Sequence, residues 1–484
     1  MKAILDNSTQ SNPLVSVVLV DWSCRESYHA LHYLNHQSVA RDQYEIIWIE
    51  FYDRQAEGIH KRLEEDRKAG RPLSLDQWMV LGFSRDLCHH KHLMYNVGIA
   101  AAQGRIITFC DSDAMLKPSF VESIIDTFNY DKNPDFKDSG AVLHCDEVRN
   151  SAKKFYPFSY PEFEEILGEG CINWDGRTTT GLADQTDFLH RRNYGACMSA
   201  LKKDLIAIGG ADEHLDYLGH ICGPYEMTFR LCNYGIKECW HPSEFLYHTW
   251  HPGTDGEYDH LGPHDGHHMS STALTVRTTQ RILPLQENLA IKALRQSEET
   301  PDRSTLMKKA LEVDHSHWSI KNLKKLDQKR TVTSSTLKNI MVQFMERATH
   351  SLKKHKTFKG LLRAVFYTSF FYLRDLVRQN TQIQVNCKLF LDSLAVEKAD
   401  GFAIMGTGEV AEHLYALTKQ SPIHIQGVYD SPSAGSFHDF KISPLEDLAN
   451  FPGKVVMGTH DDVERRVDIL LKKLNIAPDR IIVL

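Results

Sequence analysis

Asn96-Val-Gly-Ile-Ala-Ala-Ala-Gln-Gly104, then Arg105-Ile-Ile-Thr-Phe-Cys110, then Asp111-Ser-Asp113, is the stretch whose reading decides the fold. An alanine-rich helical pattern over 92–102 ends at a glycine. A short apolar run with the length of a buried strand follows, and the strand stops at two acids. Working outward, Leu14-Val-Ser-Val-Val-Leu-Val20 and Glu45-Ile-Ile-Trp-Ile-Glu50 are further buried-strand runs. Residues 27–35 have a helical pattern. Strands alternating with helices predict a mostly parallel sheet covered on both faces. In such sheets ligands bind outside the carboxyl ends of the strands. Asp111 and Asp113 stand at such an end, one residue apart. Extended backbone would put both on one side. A hard divalent cation takes one or two carboxylates plus substrate phosphates. The plain alternative is a solvated turn, because a short acidic motif is a weak signal.

The chain has 484 residues, room for two domains and a linker. Apolar residues make up 42% and charged residues 25%, the balance of a soluble globular protein. A net charge of -7 gives no reason to expect nucleic acid as a partner. No apolar run approaches the ~20 residues of a membrane span, and the run at 14–20 lacks a secretory cleavage pattern. The ten cysteines include no C-x-x-C pair, so reduced cytosolic thiols are the simplest reading and a cytoplasmic location is expected. The 26 histidines cluster at His89, His90 and His92, and again between His241 and His268.

In order and spacing, residues 14–270 resemble the family 2 glycosyltransferases of GT-A fold. The first strand, the second strand, the N-x-G-x-x-x-A-x-G helix and the D-x-D strand end come in that family's order. The resemblance implies a sugar-nucleotide site. Asp111 would lie near the ribose and base, and Asp113 would ligate the metal on the diphosphate. Asp21 and Trp22 would line the base pocket. Stacking of Trp22 on a base would contribute ~1–3 kcal/mol, and core packing is the alternative. Glu50 falls where the family has a base-contacting Asp, with Asp53 as a second candidate. Lys91, beside His89 and His90, falls where the family often has a basic residue near the nucleotide; a solvated charged face is the bland reading.

The acceptor half also resembles the family. Tyr194-Gly-Ala-Cys-Met-Ser-Ala-Leu-Lys-Lys-Asp204 matches its small-residue strand and helix, and Gly209-Gly-Ala-Asp-Glu213 its G-G-F-D-E turn. Gly223-Pro-Tyr-Glu226-Met-Thr-Phe-Arg230 departs from its G-E-D-x-D-L-x-x-R. Aligned on Arg230, the E-D pair falls on Gly223-Pro224. Glu226 is then the remaining acid for the general base, or else a capping or structural acid. His248-Thr-Trp-His251-Pro-Gly253 falls where several GT-A families place a metal-ligating histidine, so His248 and His251 join Asp113 as expected ligands. Imidazole suits Mn2+, and Mg2+ prefers oxygen. His264, His267 and His268 keep a four-ligand zinc site open as a rival, and loop histidines over the site are the bland alternative.

Residues 271–395 are helix-forming and nearly free of glycine. Between 321 and 363 twelve Lys/Arg face two acids, and an aromatic stretch follows to Arg374. That suits peripheral contact with an anionic membrane face, or an ordinary connector. From about 396 a second small α/β domain begins. Gly406-Thr-Gly408-Glu-Val-Ala411 follows a strand, a glycine turn of the kind that brings a diphosphate to a helix N-terminus. Asp430 stands where an acid binds a ribose hydroxyl. This part resembles small Rossmann-like domains attached to bacterial sugar-modifying enzymes; an interaction domain with an empty glycine turn is the alternative.

The expected architecture is therefore α/β: a GT-A domain at 1–270, a helical basic linker at 271–395 and a Rossmann-like domain at 396–484. The resemblance implies an inverting, hexosyltransferase-like enzyme dependent on Mn2+ or Mg2+. It would move a sugar from a nucleoside diphosphate sugar, with UDP favoured, to a glycan or other hydroxyl acceptor, as in polysaccharide biosynthesis. The missing E-D pair keeps a non-catalytic sugar-nucleotide-binding or scaffold protein as the alternative.

Overall fold

The computed structural model describes residues 2–7, 12–21, 28–179, 194–219, 225–251, 271–299, 301–319, 383–384, 386–395, 397–431, 435–460 and 462–484. Trp22, the Gly223-Pro224 pair, the histidines from 264 to 268 and the basic, aromatic stretch at 321–374 lie outside them. The chain divides into two compact units, Met1–His315 and Ser316–Leu484.

The strands of the first unit are β1 (Lys2–Asp6), β2 (Val15–Asp21), β3 (Tyr44–Tyr52), β4 (Gln77–Phe83), β5 (Ile106–Cys110), β6 (Met115–Leu116), β7 (Ala141–Asn150), β8 (Cys197–Leu201) and β9 (Lys237–Thr249). They form one sheet in the order β1-β4-β3-β2-β5-β8-β7-β9-β6. β2 runs parallel to β3 and β5, and β3 to β4. β8 is reversed between β5 and β7, and β9 runs parallel to β7. So β2, β3, β5, β7 and β9 all point one way, and their carboxyl ends share one edge. Every residue of β2, β3 and β5 is buried, which is why each reads as a continuous apolar run.

Helices α1 (His29–Leu34), α2 (Glu57–Lys68) and α3 (Lys91–Ala101) connect the parallel strands. The motif glycines serve close packing. A Cβ on Gly98 would lie 2.6 Å from Val18 Cγ1, and one on Gly104 would lie 2.7 Å from the Ser16 backbone nitrogen. Only a residue without a side chain lets α3 and its exit turn lie this close to β2. Asn96 clamps the acceptor half onto α3. Its amide oxygen accepts from Ala211 N at 2.7 Å, and its nitrogen donates to Ala211 O at 2.8 Å and Glu213 Oε1 at 2.9 Å. The helices Leu289–Gln296 and Arg303–Ala310 pack on α3, so residues 271–315 fall within the first unit.

The second unit holds β10 (Gly401–Met405), β11 (His424–Asp430), β12 (Ser436–Phe437), β13 (Phe440–Pro444), β14 (Lys454–Met457) and β15 (Ile481–Ile482). Their order is β12-β13-β11-β10-β14-β15, parallel except for β12. Ala403, Met405, Leu448, Val455, Met457 and Leu470 are buried at its centre.

Candidate active site

The shared carboxyl edge of the first sheet gathers most of the expected polar residues. Asp21 and Glu50 are register partners at the ends of β2 and β3. Glu50 is 1% exposed. Its Oε1 accepts from Ala56 N at 3.0 Å, Trp78 Nε1 at 3.1 Å and Trp48 Nε1 at 3.2 Å. Oε2 is buried with no hydrogen-bond partner among the described residues. Burial pushes the carboxyl up to about 7, and Asp21 adds to the rise against the opposing Ala56, Trp78 and Trp48 donors. Asp53, the second candidate, is exposed beyond β3.

A folded-state value raised from 4.5 means the native state holds the proton more tightly than the unfolded chain. The associated stability is present below about pH 4.5 and lost as pH rises through about 7. Glu50→Gln keeps the acceptor for the three donors and removes the titration. From pH 4.5 to pH 8 the variant should therefore gain about 3 kcal/mol on the wild type. Urea unfolding at the two pH values measures this. A constant difference would show that Glu50 does not titrate. Comparing the two proteins cancels the opposite trend from buried histidines such as His90, whose imidazole burial pushes down to about 4.

β5 ends at Cys110, and Asp111 to Asp113 form a turn rather than extended backbone. The two acids accordingly go to different partners. Asp111 lies 3.4 Å from the ammonium of Lys91, the buried first residue of α3. The cluster around Lys91 is not a solvated face: His90 Nε2 bonds Glu213 O at 3.0 Å and His92 Nδ1 bonds Asp212 O at 2.8 Å. Asp113 is 2% exposed and meets the end of β9. Its Oδ2 lies 3.2 Å from His248 Nε2 and 3.1 Å from His251 Nε2, and the two nitrogens are 3.2 Å apart. All three residues are buried.

This near-equilateral triangle fits a metal ion. Neighbouring donors on one ion stand about 3.0–3.4 Å apart when the bonds are ~2.0–2.2 Å. The surroundings favour the ligand tautomer. His248 Nδ1 is buried and faces Glu147 Oε1 at 3.9 Å. A carboxylate on that side favours the proton on Nδ1, leaving the Nε2 lone pair directed at Asp113. Glu147 itself is held below the usual carboxylate range: burial acts to raise it, and Arg149 and His248 outweigh that. The sequence reading missed Glu147 and Arg149. Their only signal was a run of charged residues closing an otherwise apolar segment.

Glu226 is held in a buried ion pair. It lies on the helix Tyr225–Asn233 and is 0% exposed. Oε1 accepts from Asp212 N at 3.0 Å and Arg230 Nη2 at 2.9 Å, and Oε2 accepts from Arg230 Nε at 2.8 Å. Arg230 in turn donates to Ile208 O and Gly210 O, both at 2.5 Å. Both oxygens are engaged and closed off from solvent, and burial pushes the carboxyl up to about 7 against the opposing Arg230 charge, an environment that favours the structural acid among the two expected roles. Glu226 orients Arg230, which fastens the Gly209-Gly210 turn.

The residues proposed for a nucleotide in the second unit also have structural partners. Gly406 has a φ of 91°, which requires glycine at the strand exit. A Cβ on Gly408 would lie 2.5 Å from Thr459 Cβ, so packing accounts for that glycine without a diphosphate. Ala411 N donates to Gly458 O at 3.0 Å, and Asp430 pairs with Arg466 at 3.3 Å. Glu409, the first residue of the following helix, accepts from His460 N at 2.7 Å. Although burial acts to raise its pKa, the His460 bonds hold it at about 2. An ionised carboxylate thus stands on the first residue of that helix.

No family model matches the sequence, and no curated protein matches it. Among solved structures, the chain is similar to a mannosyltransferase from Pyrobaculum calidifontis in complex with GDP-Man and Mn2+. Identity is 13%, coverage 76% of this chain and 90% of that one, and the TM-score 0.32. It is similar to TarS 1-349 of S. aureus in complex with UDP-GlcNAc, with 12% identity, 76% and 89% coverage and a TM-score of 0.33. For glucosyl-3-phosphoglycerate synthase of Mycobacterium tuberculosis the values are 12%, 57% and 83%, and 0.29. Likenesses this distant assign no activity to the chain.

Proposed function

We propose that the first unit is a metal-dependent nucleotide-sugar enzyme, and more particularly a glycosyltransferase of GT-A type. The observation that carries this is the buried Asp113–His248–His251 triangle at the carboxyl edge of the sheet, beside the Lys91–Asp111 pair. Asp21 and Glu50, at the ends of the neighbouring strands, would receive the nucleoside, with UDP favoured by the family resemblance. Lys91 would set the orientation of Asp111 toward the ribose. Asp113, His248 and His251 would hold the cation, and two imidazoles with one carboxylate suit Mn2+ better than Mg2+. When bound, the ion supplies Lewis-acid stabilisation of the departing diphosphate. The acceptor is a hydroxyl compound, a glycan being the expectation from the family. Direct displacement with inversion is the course that the family resemblance implies.

Nucleoside diphosphate release from a panel of UDP- and GDP-sugars, with Mn2+ and with a chelator, tests the proposal. Mn2+-dependent release is expected, and an added hydroxyl acceptor should raise it. Tight binding with no release under any condition would favour the non-catalytic reading. Absence of binding would overturn both. Among the described residues no helix is long and apolar enough to cross a membrane.

A further inference from the structure

Arg149 is a cation beside this site with no part in the proposed reaction so far. It sits on β7, two residues from Glu147 and therefore on the same face of the strand. Its register partner on the parallel strand β9 is His248, one corner of the metal triangle. Glu147 Oε1 accepts from Arg149 Nε at 2.7 Å, so the guanidinium is anchored by one nitrogen. The two terminal nitrogens bond to nothing among the described residues, and the side chain is 29% exposed. Its charge interacts with both Asp113 and Asp111.

We propose that Arg149 binds a phosphoryl oxygen beside the metal position. This inference rests on the glycosyltransferase reading. The physical reason is the shape of the donor group. With Nε fixed by Glu147, Nη1 and Nη2 form a pre-oriented fork of charge-assisted donors, the geometry that suits phosphate. The three acids nearby, Asp111, Asp113 and Glu147, bring negative charge that one metal ion and Lys91 offset only in part once a diphosphate enters. A second fixed cation addresses that excess. Two sources have the required chemistry: the diphosphate of the donor, and a phosphate carried by the acceptor.

Calorimetry on the full-length protein separates them. UDP and GDP are titrated into wild type, Arg149→Ala and Arg149→Lys at saturating Mn2+, and inorganic phosphate is then titrated into each nucleotide complex. Mn2+ affinity alone is measured by electron paramagnetic resonance. A charge-assisted bond of about 1.5–3 kcal/mol corresponds to a ~10–100-fold loss on removal. If the donor diphosphate is the ligand, Arg149→Ala weakens nucleotide binding by that factor. Lys, which keeps the charge and loses the fork, should fall between. If an acceptor phosphate is the ligand, nucleotide affinity stays and inorganic phosphate binding to the complex disappears. Mn2+ affinity stays constant in either case. Equal binding of both probes by wild type and Arg149→Ala would overturn the inference and leave the glycosyltransferase reading standing. A matching fall in Mn2+ affinity alone would also overturn it, since Arg149 would then act only by positioning Glu147. A wild type that binds neither nucleotide would overturn the underlying reading as well.

Discussion

Asp113→Ala is expected to lower Mn2+ affinity by at least ~10²-fold and to remove Mn2+-dependent release of nucleoside diphosphate. Loss of a residue that only supports a metal ligand already costs 10–100-fold, and Asp113 is the one carboxylate in the triangle. Without it His248 and His251 remain 3.2 Å apart with no anionic partner between them, a weak pair for a hard cation. The variant should stay folded, because Asp113 lies at the sheet edge, in the turn after β5, where its carboxylate meets His248 and His251. His248→Ala should give a loss in the same direction. Electron paramagnetic resonance of free Mn2+ gives the affinities and circular dichroism the fold. Unchanged Mn2+ affinity in a folded Asp113→Ala protein would remove the metal assignment, and with it the main support for the proposed function.

Glu226→Gln should separate a structural acid from a base. As a base, Glu226 would be needed for transfer and dispensable for folding, and its amide would cut transfer by ~10²-fold or more. The buried pair with Arg230 leads to the opposite expectation. Above about pH 7, where Glu226 carries its charge, the substitution leaves a fully buried guanidinium without its counter-charge, which costs about 3–5 kcal/mol. The unfolding free energy of the first unit should fall by about that much. Nucleotide-sugar turnover of the remaining folded protein should stay within a few-fold of wild type. Glu226→Leu paired with Arg230→Met removes both charges and should recover part of the loss. Recovery is incomplete because Ile208 O and Gly210 O lose the donor that Arg230 provides. A fully stable Glu226→Gln protein without turnover would restore the base.

The strands at 15–21, 44–52 and 106–110 were legible because each is buried on both faces, so burial leaves an unbroken apolar run in the sequence. The helix at 91–101 was legible from its small residues. The motif around Asn96 located the site without revealing the role of Asn96 itself, which is to clamp the Ala211–Glu213 turn. β7 and β9 did not stand out. β7 closes on Asp146, Glu147, Arg149 and Asn150, and β9 begins in an exposed, polar segment.

Sequence by itself determined the alternation of elements, and so placed Asp21, Glu50, Asp111 and Asp113 after strands. It also singled out His248 and His251 through a family likeness. Only the tertiary structure decided which of these meet. Asp113 and His248 are 135 residues apart, and their contact depends on where β9 enters the sheet. Strand order is set by long-range pairing, which local apolar periodicity does not encode. The same holds for Glu226. Four residues before Arg230 on a helix, it matches a base by position, but whether it faces a ligand or a buried arginine depends on what covers that helix. Burial of the pair beneath the Ile208–Gly210 turn gave the second answer.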